Sequence, residues 1–300
     1  MTELIQKDQE DTEHQTSEYL ETFKPRAMDW TAARVFAVKN LRIALRYPAN
    51  ILIWGFLPIL WFAPYILMAT AVGGLETTAH FTEISGYESF VQFVVIGWFV
   101  YMYLDNSVWG IGNNFRWEQF SGTLEPLFST PVPRISILLG AAFSDSIQGT
   151  VQAIILFFLS TTVFGVSYAV TSILPTIIIL LVMIIGLYGF GFMIAGLILV
   201  FKDPSVLTQL VSETSYMISP VNYPVNALPR PVQFAAYLLP TTIGIITIRE
   251  IAITGAWNLL NFSQALIALL GLAFLFWALG LACFRFAEKW TKQRGHMGGF

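Results

Sequence analysis

Residues 51–72, 173–201 and 259–284 contain no charged side chain, and each run is longer than the ~18 apolar residues that mark a helix able to cross a bilayer. A chain with several such runs has little choice of environment, and the composition agrees: it is 55% hydrophobic and 12% charged, with a mean hydropathy of +0.64. That is too apolar for an ordinary soluble domain. The sequence is therefore read as an all-α membrane protein with several spans. Its single cysteine, Cys283, excludes an internal disulfide and, inside an apolar run, reads as a packing residue.

Six spans are expected. The first covers 51–72 and is interrupted by Pro58 and Pro64; a loop with Glu76, His80, Glu83 and Glu88 but no Lys or Arg follows it. The second covers 89–111. The third starts near Ile135 in an apolar run that reaches 168, more than one hydrocarbon thickness needs, and 165–172 form an uncharged turn. The fourth, 173–201, carries Gly186, Gly189, Gly191 and Gly196, small residues that let helices approach closely. A fifth helix begins at Lys202-Asp203-Pro204 and runs to about 223, and the sixth covers 259–284.

Residues 231–248 are also uncharged, but Pro240 interrupts them. If they crossed fully, the tail with Arg285, Lys289, Lys292 and Arg294 would face outward, against the positive-inside rule. They are read instead as re-entrant, within a region 224–258 that caps or seals the outer end of a pathway. Irregular backbone at membrane depth persists only when buried in protein or facing water. With this plan both termini are cytoplasmic, and so are all of the 16 Lys and Arg residues except Arg230 and Arg249.

The remaining segments are polar. The net charge of -3 combines an amino-terminal stretch, 1–28, whose residues 1–23 hold seven acids against Lys7, and a remainder after residue 23 that is net basic. That stretch lacks apolar periodicity and is expected to be a disordered cytoplasmic tail. Over 29–47, Trp30, Val35, Phe36, Val38, Leu41 and Leu45 mix with Arg34, Lys39, Arg42 and Arg46, the pattern of a basic amphipathic helix lying in the headgroup plane, stopped by Pro48.

Between the second and third spans lies a polar island, 117–134. Thr123 is placed to cap a short helix, Glu125 complements its positive end, Pro126 fits the first turn, and Pro131 and Pro133 end it. Phe120, Leu124 and Leu127 recur on one apolar face, with Glu118 and Glu125 beside it. Such a helix, over about 117–131, either rests on lipid headgroups or offers a knob to a soluble partner.

Polar side chains within apolar spans are costly and should face the bundle interior, a subunit interface or a wet cavity. Asp145, Gln148 and Gln152 form one stripe, Gln209, Glu213 and Tyr216 a second, and Asp105 adds another acid. They either line a transport route or hydrogen-bond helices together. Arg249 and Glu250 are expected to pair with each other or with neighbours and so hold the re-entrant element. The aromatics, among them Trp54, Trp61, Trp98, Tyr101, Tyr103 and Trp109, read as interfacial belts and packing rather than a ligand cage.

Two motifs carry a resemblance. Glu118, Gly122-Thr123-Leu124-Glu125, Leu127, Thr130-Pro131 and Arg134 resemble the loop between the second and third spans of ABC-type-2 export permeases, with Gln119 and Phe120 standing where basic and acidic residues are more common. Ser219-Pro220-Val221, Pro224, Ala227-Leu228-Pro229, Gln233, Leu239-Pro240 and Arg249-Glu250 resemble that family's outer re-entrant helices. The 29–47 segment is similar to its interface helix.

The resemblance implies a coupling helix docked on a separate ATPase through Glu118, Gly122, Thr123, Leu124, Glu125, Leu127 and Arg134. It also implies an outer gate that includes Pro220, Pro224, Pro229, Pro240, Arg249 and Glu250. Two ATPase copies and a second permease copy, in a homodimer by default, are the implied partners, with membrane lipid and without nucleic acid. The implied cargo is amphipathic, a drug, lipid or lipid-linked glycan leaving the cytoplasm of a prokaryote across its cell membrane.

The chain has no Gly-x4-Gly-Lys-Ser/Thr loop, so no cofactor is expected in it, and ATP with Mg would sit on the partner. No zinc or hydrolase motif occurs, and His14, His80 and His296 are scattered, so no metal site or catalytic residue is expected. Two competing readings are a proton- or ion-coupled carrier using Asp105, Asp145 and Glu213, which lacks the inverted repeat common in such folds, and a scaffold whose acidic tail recruits partners.

Overall fold

The computed structural model describes residues 28–293 apart from 124–125, 128–129, 167, 170–171, 201–203 and 256–257. The acidic tail, and Leu124 and Glu125 of the polar island, lie outside the described residues. Those described are helical throughout, joined by turns, with no strand among them.

The amphipathic segment forms α1 (Trp30–Arg46). Asp29 caps it, its carboxylate accepting from the amides of Thr31 at 2.9 Å and Ala32 at 3.2 Å. Pro48 then opens α2 (Pro48–Ser85), where a missing N–H costs nothing. The apolar span within α2 is Pro48–Ala69, but the helix continues through the stretch read from sequence as a loop. It stops only at Gly86, whose φ of 77° ends it in the left-handed conformation. Phe81 meets Phe90 and Phe93 edge-on at 5.2 Å, so this extension packs against the next helix.

Helix α3 (Phe90–Phe120) is the axis of the fold, with most of its apolar span, Phe90–Gly110, buried against other helices. Helices α4 (Arg134–Phe164) and α5 (Ile173–Val200) follow as the third and fourth spans. Gly165, at φ 63°, ends α4 where the uncharged turn at 165–172 was expected to begin. The last helix, α9 (Leu259–Gln293), packs along α5. A Cβ on Gly189 would lie 2.7 Å from the Trp277 amide nitrogen, and one on Gly280 2.4 Å from the Gly189 carbonyl, so the two backbones touch where only hydrogen fits.

Between α5 and α9 the plan differs from the expected one. Helix α6 (Pro204–Ile218) has 15 residues and ends five short of the anticipated 223. At 1.5 Å per residue it reaches about 22 Å, less than the ~30 Å hydrocarbon core. A buried turn follows, then a short 3-10 turn (Val225–Ala227) and two helices, α7 (Arg230–Tyr237) and α8 (Pro240–Thr254), bent by 89° where Pro240 starts the second.

Helix α8 begins beside the middle of α5, with Pro240 near Gly186. It ends where the Ala252 carbonyl accepts from the Ala169 amide at 3.3 Å, just before α5 starts. Among the described residues, five helices are long and apolar enough to span, and the bent pair brings the count to six if taken as one crossing.

Candidate functional site

The polar stripes expected on three helices meet in one cavity of about 1050 Å³, lined by α2, α3, α4 and α6. Asp105 comes from α3; Asp145, Gln148 and Gln152 come from α4; Gln209, Glu213 and Tyr216 come from α6. All seven lie on its wall. Between them are Trp54, Trp61 and Tyr65 of α2 and Trp98, Tyr101 and Trp109 of α3. Their role is therefore not confined to interfacial belts. Tyr103, on another side of α3, is not part of the lining and donates instead to Thr150 Oγ1 at 3.4 Å.

The lining of α3 follows one helical stripe: Trp98, Tyr101, Asp105, Trp109 and then Trp117 and Phe120 near its end. The cavity thus runs most of the length of α3, toward the end of the bundle where α1 lies. At the other extreme it meets an aromatic cluster. Trp98 sits 6.0 Å from Trp61, 5.8 Å from Tyr101 and 5.3 Å from Tyr216, and its indole N–H donates to Asn222 Oδ1 at 3.0 Å.

The buried acids are hydrogen-bonded, which is what keeps charge tolerable at that depth. Ser212 donates to Asp105, and Tyr101 donates to the Ser212 carbonyl at 3.2 Å. Asn114 donates to Asp145 Oδ2 at 3.0 Å and to the Gly110 carbonyl at 2.7 Å, and its own oxygen accepts from Asn40 Nδ2 at 2.9 Å. A side-chain chain thus links α1 through α3 to Asp145.

Three residues after Asn114 on α3 the polar island begins, and the structure revises where it starts. Residues 117–120 are the last turn of α3 and not the start of a new helix. Gly122, at φ 67°, closes that turn, with the Thr123 amide donating to the Glu118 carbonyl at 2.9 Å, the arrangement a helix adopts at its carboxyl end. The Thr123 hydroxyl donates to Glu118 Oε2 at 2.6 Å, and its backbone carbonyl accepts from the Leu127 amide at 3.1 Å.

Glu118 is buried and also takes the ammonium of Lys39 from α1. Phe120 and Leu127 diverge: Phe120 is 71% exposed at the mouth of the cavity, whereas Leu127 packs on Phe36 of α1 and on Ile137 and Ala141 of α4. Arg134 is the first residue of α4. The Asp29 amide donates to Ser136 Oγ at 2.7 Å, so α1, α3, the loop and α4 are bound at one corner.

At the opposite end Arg249 is 2% exposed. Its guanidinium donates to the carbonyls of Phe93 at 2.9 Å, Pro220 at 2.6 Å and Val221, and stacks 3.4 Å over the Phe93 ring. It does not pair with Glu250, which accepts from Asn261 at 3.4 Å. Nearby Tyr87 supplies no counter-charge, because burial pushes its phenol above the ordinary value, although Arg249 works the other way.

The buried turn after α6 has left its carbonyls without helix partners, and the five-donor fork of Arg249 satisfies two of them at once. Pro224, Pro229 and Pro240 each stand at or just before the start of a helical turn, which is why the region is broken where the proline cluster lies. Among the described residues no group of His, Cys, Asp and Glu is arranged to hold a metal.

Several of these residues were not visible beforehand. Lys39, Asn40, Asn114 and Ser212 make contacts across 74 to 107 positions of sequence. The spacing of Trp98, Tyr101 and Trp109 around Asp105 was the available signal for the aromatic wall.

No curated protein matches the chain. The family model described as "ABC-2 type transporter" does, over residues 32–253, which is about three quarters of the chain and takes in α1, the cavity, the α3–α4 loop and the Arg249 region. A match of that extent, on a helical chain with several spans, means that this protein belongs to the ABC-2 type transporter family, as a membrane permease component that associates with an ABC ATPase subunit and is not an enzyme by itself.

Proposed function

We propose that this chain is one membrane half of an exporter, in which two copies of a separate ATPase drive a dimer of permeases to move an amphipathic substrate out of the cytoplasm. The observation that carries the reading is the joining of one cavity to one corner. Asp145 on the cavity wall is connected through Asn114 to Asn40 of α1, and the preceding residue, Lys39, holds Glu118 in the last turn of α3, where the 121–133 loop begins. A push on that loop therefore moves α1, α3 and α4 together, and with them two of the cavity's walls, α3 and α4.

In this reading Glu118, Gly122, Thr123, Leu124, Glu125, Leu127 and Arg134 make up the coupling segment. Glu118 and Thr123 act by holding its shape, and Leu127 by seating it on α1 and α4. The α1 end is cytoplasmic, as are both termini, in the cell membrane of a prokaryote, and ATP and Mg stay on the partner. The Arg249 region, with Pro220, Pro224, Pro229, Pro240 and Glu250, closes the outer side. Helix α6 is the fifth crossing, completed by the buried turn, and α7–α8 form the re-entrant pair. The second permease copy is an identical chain. The match to a model of ABC-2 type transporters favours this reading over the proton-coupled carrier.

Co-expression with a cognate ABC ATPase and purification through a tag on this chain tests the proposal. The intact chain should retain the ATPase, and deletion of 122–127 should abolish retention while membrane insertion persists. An ATPase that stays bound to the deletion variant would remove the coupling assignment.

A further inference from the structure

We infer that the cavity takes an amphipathic organic cation; this deepens the exporter reading and rests on it. Its lining holds three carboxylates, Asp105, Asp145 and Glu213, and among the described lining residues no Lys, Arg or His. The rest of the wall is largely aromatic, and the faces of Trp and Tyr attract cations while accepting apolar bodies. A volume of about 1050 Å³ matches the ~300–1,000 Å³ clefts that hold drug-sized ligands.

The three acids differ in what they already have. Asp105 is held by Ser212, and Asp145 by Asn114. Glu213 is exposed, one residue after Ser212 and three before Tyr216, so its carboxylate shares a helix face with the aromatic cluster. An anionic occupant would meet acidic side chains on three helices and no cation among the described lining residues, and a neutral one would strip water from Glu213 without replacing it. A cation with a greasy body satisfies the carboxylate and the rings together.

Tetraphenylphosphonium and tetraphenylborate, nearly identical in shape and opposite in charge, separate these cases. The complex of this chain with its ATPase, in phosphatidylcholine nanodiscs, should bind radiolabelled tetraphenylphosphonium saturably and about tenfold or more tightly than tetraphenylborate, after subtraction of protein-free nanodiscs. Glu213→Gln and Trp54→Ala, both at exposed positions, should each weaken tetraphenylphosphonium binding about three- to tenfold, and Glu83→Gln, an exposed position away from the lining, should not.

Equal binding of the two ions, or tetraphenylphosphonium binding untouched by both cavity variants, overturns the inference. ATPase retention is scored in the same preparation. A complex without charge preference overturns the cation alone, whereas a chain that selects the cation yet brings no ATPase keeps it and overturns the exporter reading.

Discussion

The two ends of this molecule are fastened in different ways. At the α1 end the ties run from side chain to side chain: Lys39 to Glu118, Thr123 to Glu118, Asn40 to Asn114, Asn114 to Asp145. At the opposite end one buried guanidinium grips backbone carbonyls from two segments. Side-chain ties at a partly exposed corner can be exchanged for water or a partner at small cost, because the Lys39 side chain is already 40% exposed. Backbone carbonyls in a dry interior have no such alternative. The difference teaches that the loop end is built to be moved and the Arg249 end to hold.

The largest effect should come from breaking the holding end. Arg249→Met leaves the carbonyls of Pro220 and Val221 buried and unpaired, at about 1–3 kcal/mol each, while the Phe93 carbonyl keeps its bond within α3. That is a large fraction of the whole stability of a domain, so little monodisperse protein should survive detergent extraction. Arg249→Lys should rescue poorly, since a single ammonium on a flexible stem cannot reproduce the planar fork. Size-exclusion profiles and thermal melts of the two variants check this, and a well-behaved Arg249→Met protein would contradict the claim that the site is structural.

A smaller effect is expected where α1 lies against α4. A Cβ on Gly140 would stand 2.4 Å from the Ala33 carbonyl, so Gly140→Ala must lift α1 away from α4. Overpacking of this kind costs about 1–3 kcal/mol. The spans should still insert, because the strain falls on the α1–α4 contact alone. Reduced ATPase retention with insertion intact, read by co-purification and membrane fractionation, is the expected outcome.

The same contrast explains how much was legible in the sequence. The spans and the polar stripes announced themselves, because a charge-free run and an acid at helical spacing are local signals with a physical cost attached. The structure places Asp105, Asp145 and Glu213 on the wall of one cavity. What sequence could not show was the partner of each polar group, since Arg249 meets Phe93 from 156 positions away and Lys39 meets Glu118 from 79. Glu250, the adjacent acid, looked like the natural mate of Arg249, yet the guanidinium is consumed by carbonyls that only the folded turn at 219–221 presents.

The start of the polar island was misplaced for a related reason, since 117–120 belong to α3. Gly122-Thr123 reads as the start of a helix or the end of one, and local spacing does not decide between them. The Lys39–Glu118–Thr123 contact does, because it carries the α3 helix on to Phe120 before the glycine turns the chain.

The smallest stability effect, and the sharpest test of the comparison, lies in that contact. An ion pair with one member 40% exposed contributes about 0.2–1 kcal/mol, so Lys39→Met and Glu118→Gln should each leave the melting temperature nearly unchanged. If the corner transmits force, both should nonetheless lower substrate-stimulated ATP hydrolysis by the complex. The exchanged pair, Lys39→Glu with Glu118→Lys, should recover part of it, because the cycle of two single variants and the double isolates the pair from each residue's other contacts. Thr123 limits the rescue: its hydroxyl donates to Glu118 Oε2, and a lysine there cannot accept it, so the recovery should stay partial. Full stimulation in both single variants would mean that α1 only anchors the chain, and that the loop moves the cavity walls through α3 and α4 without it.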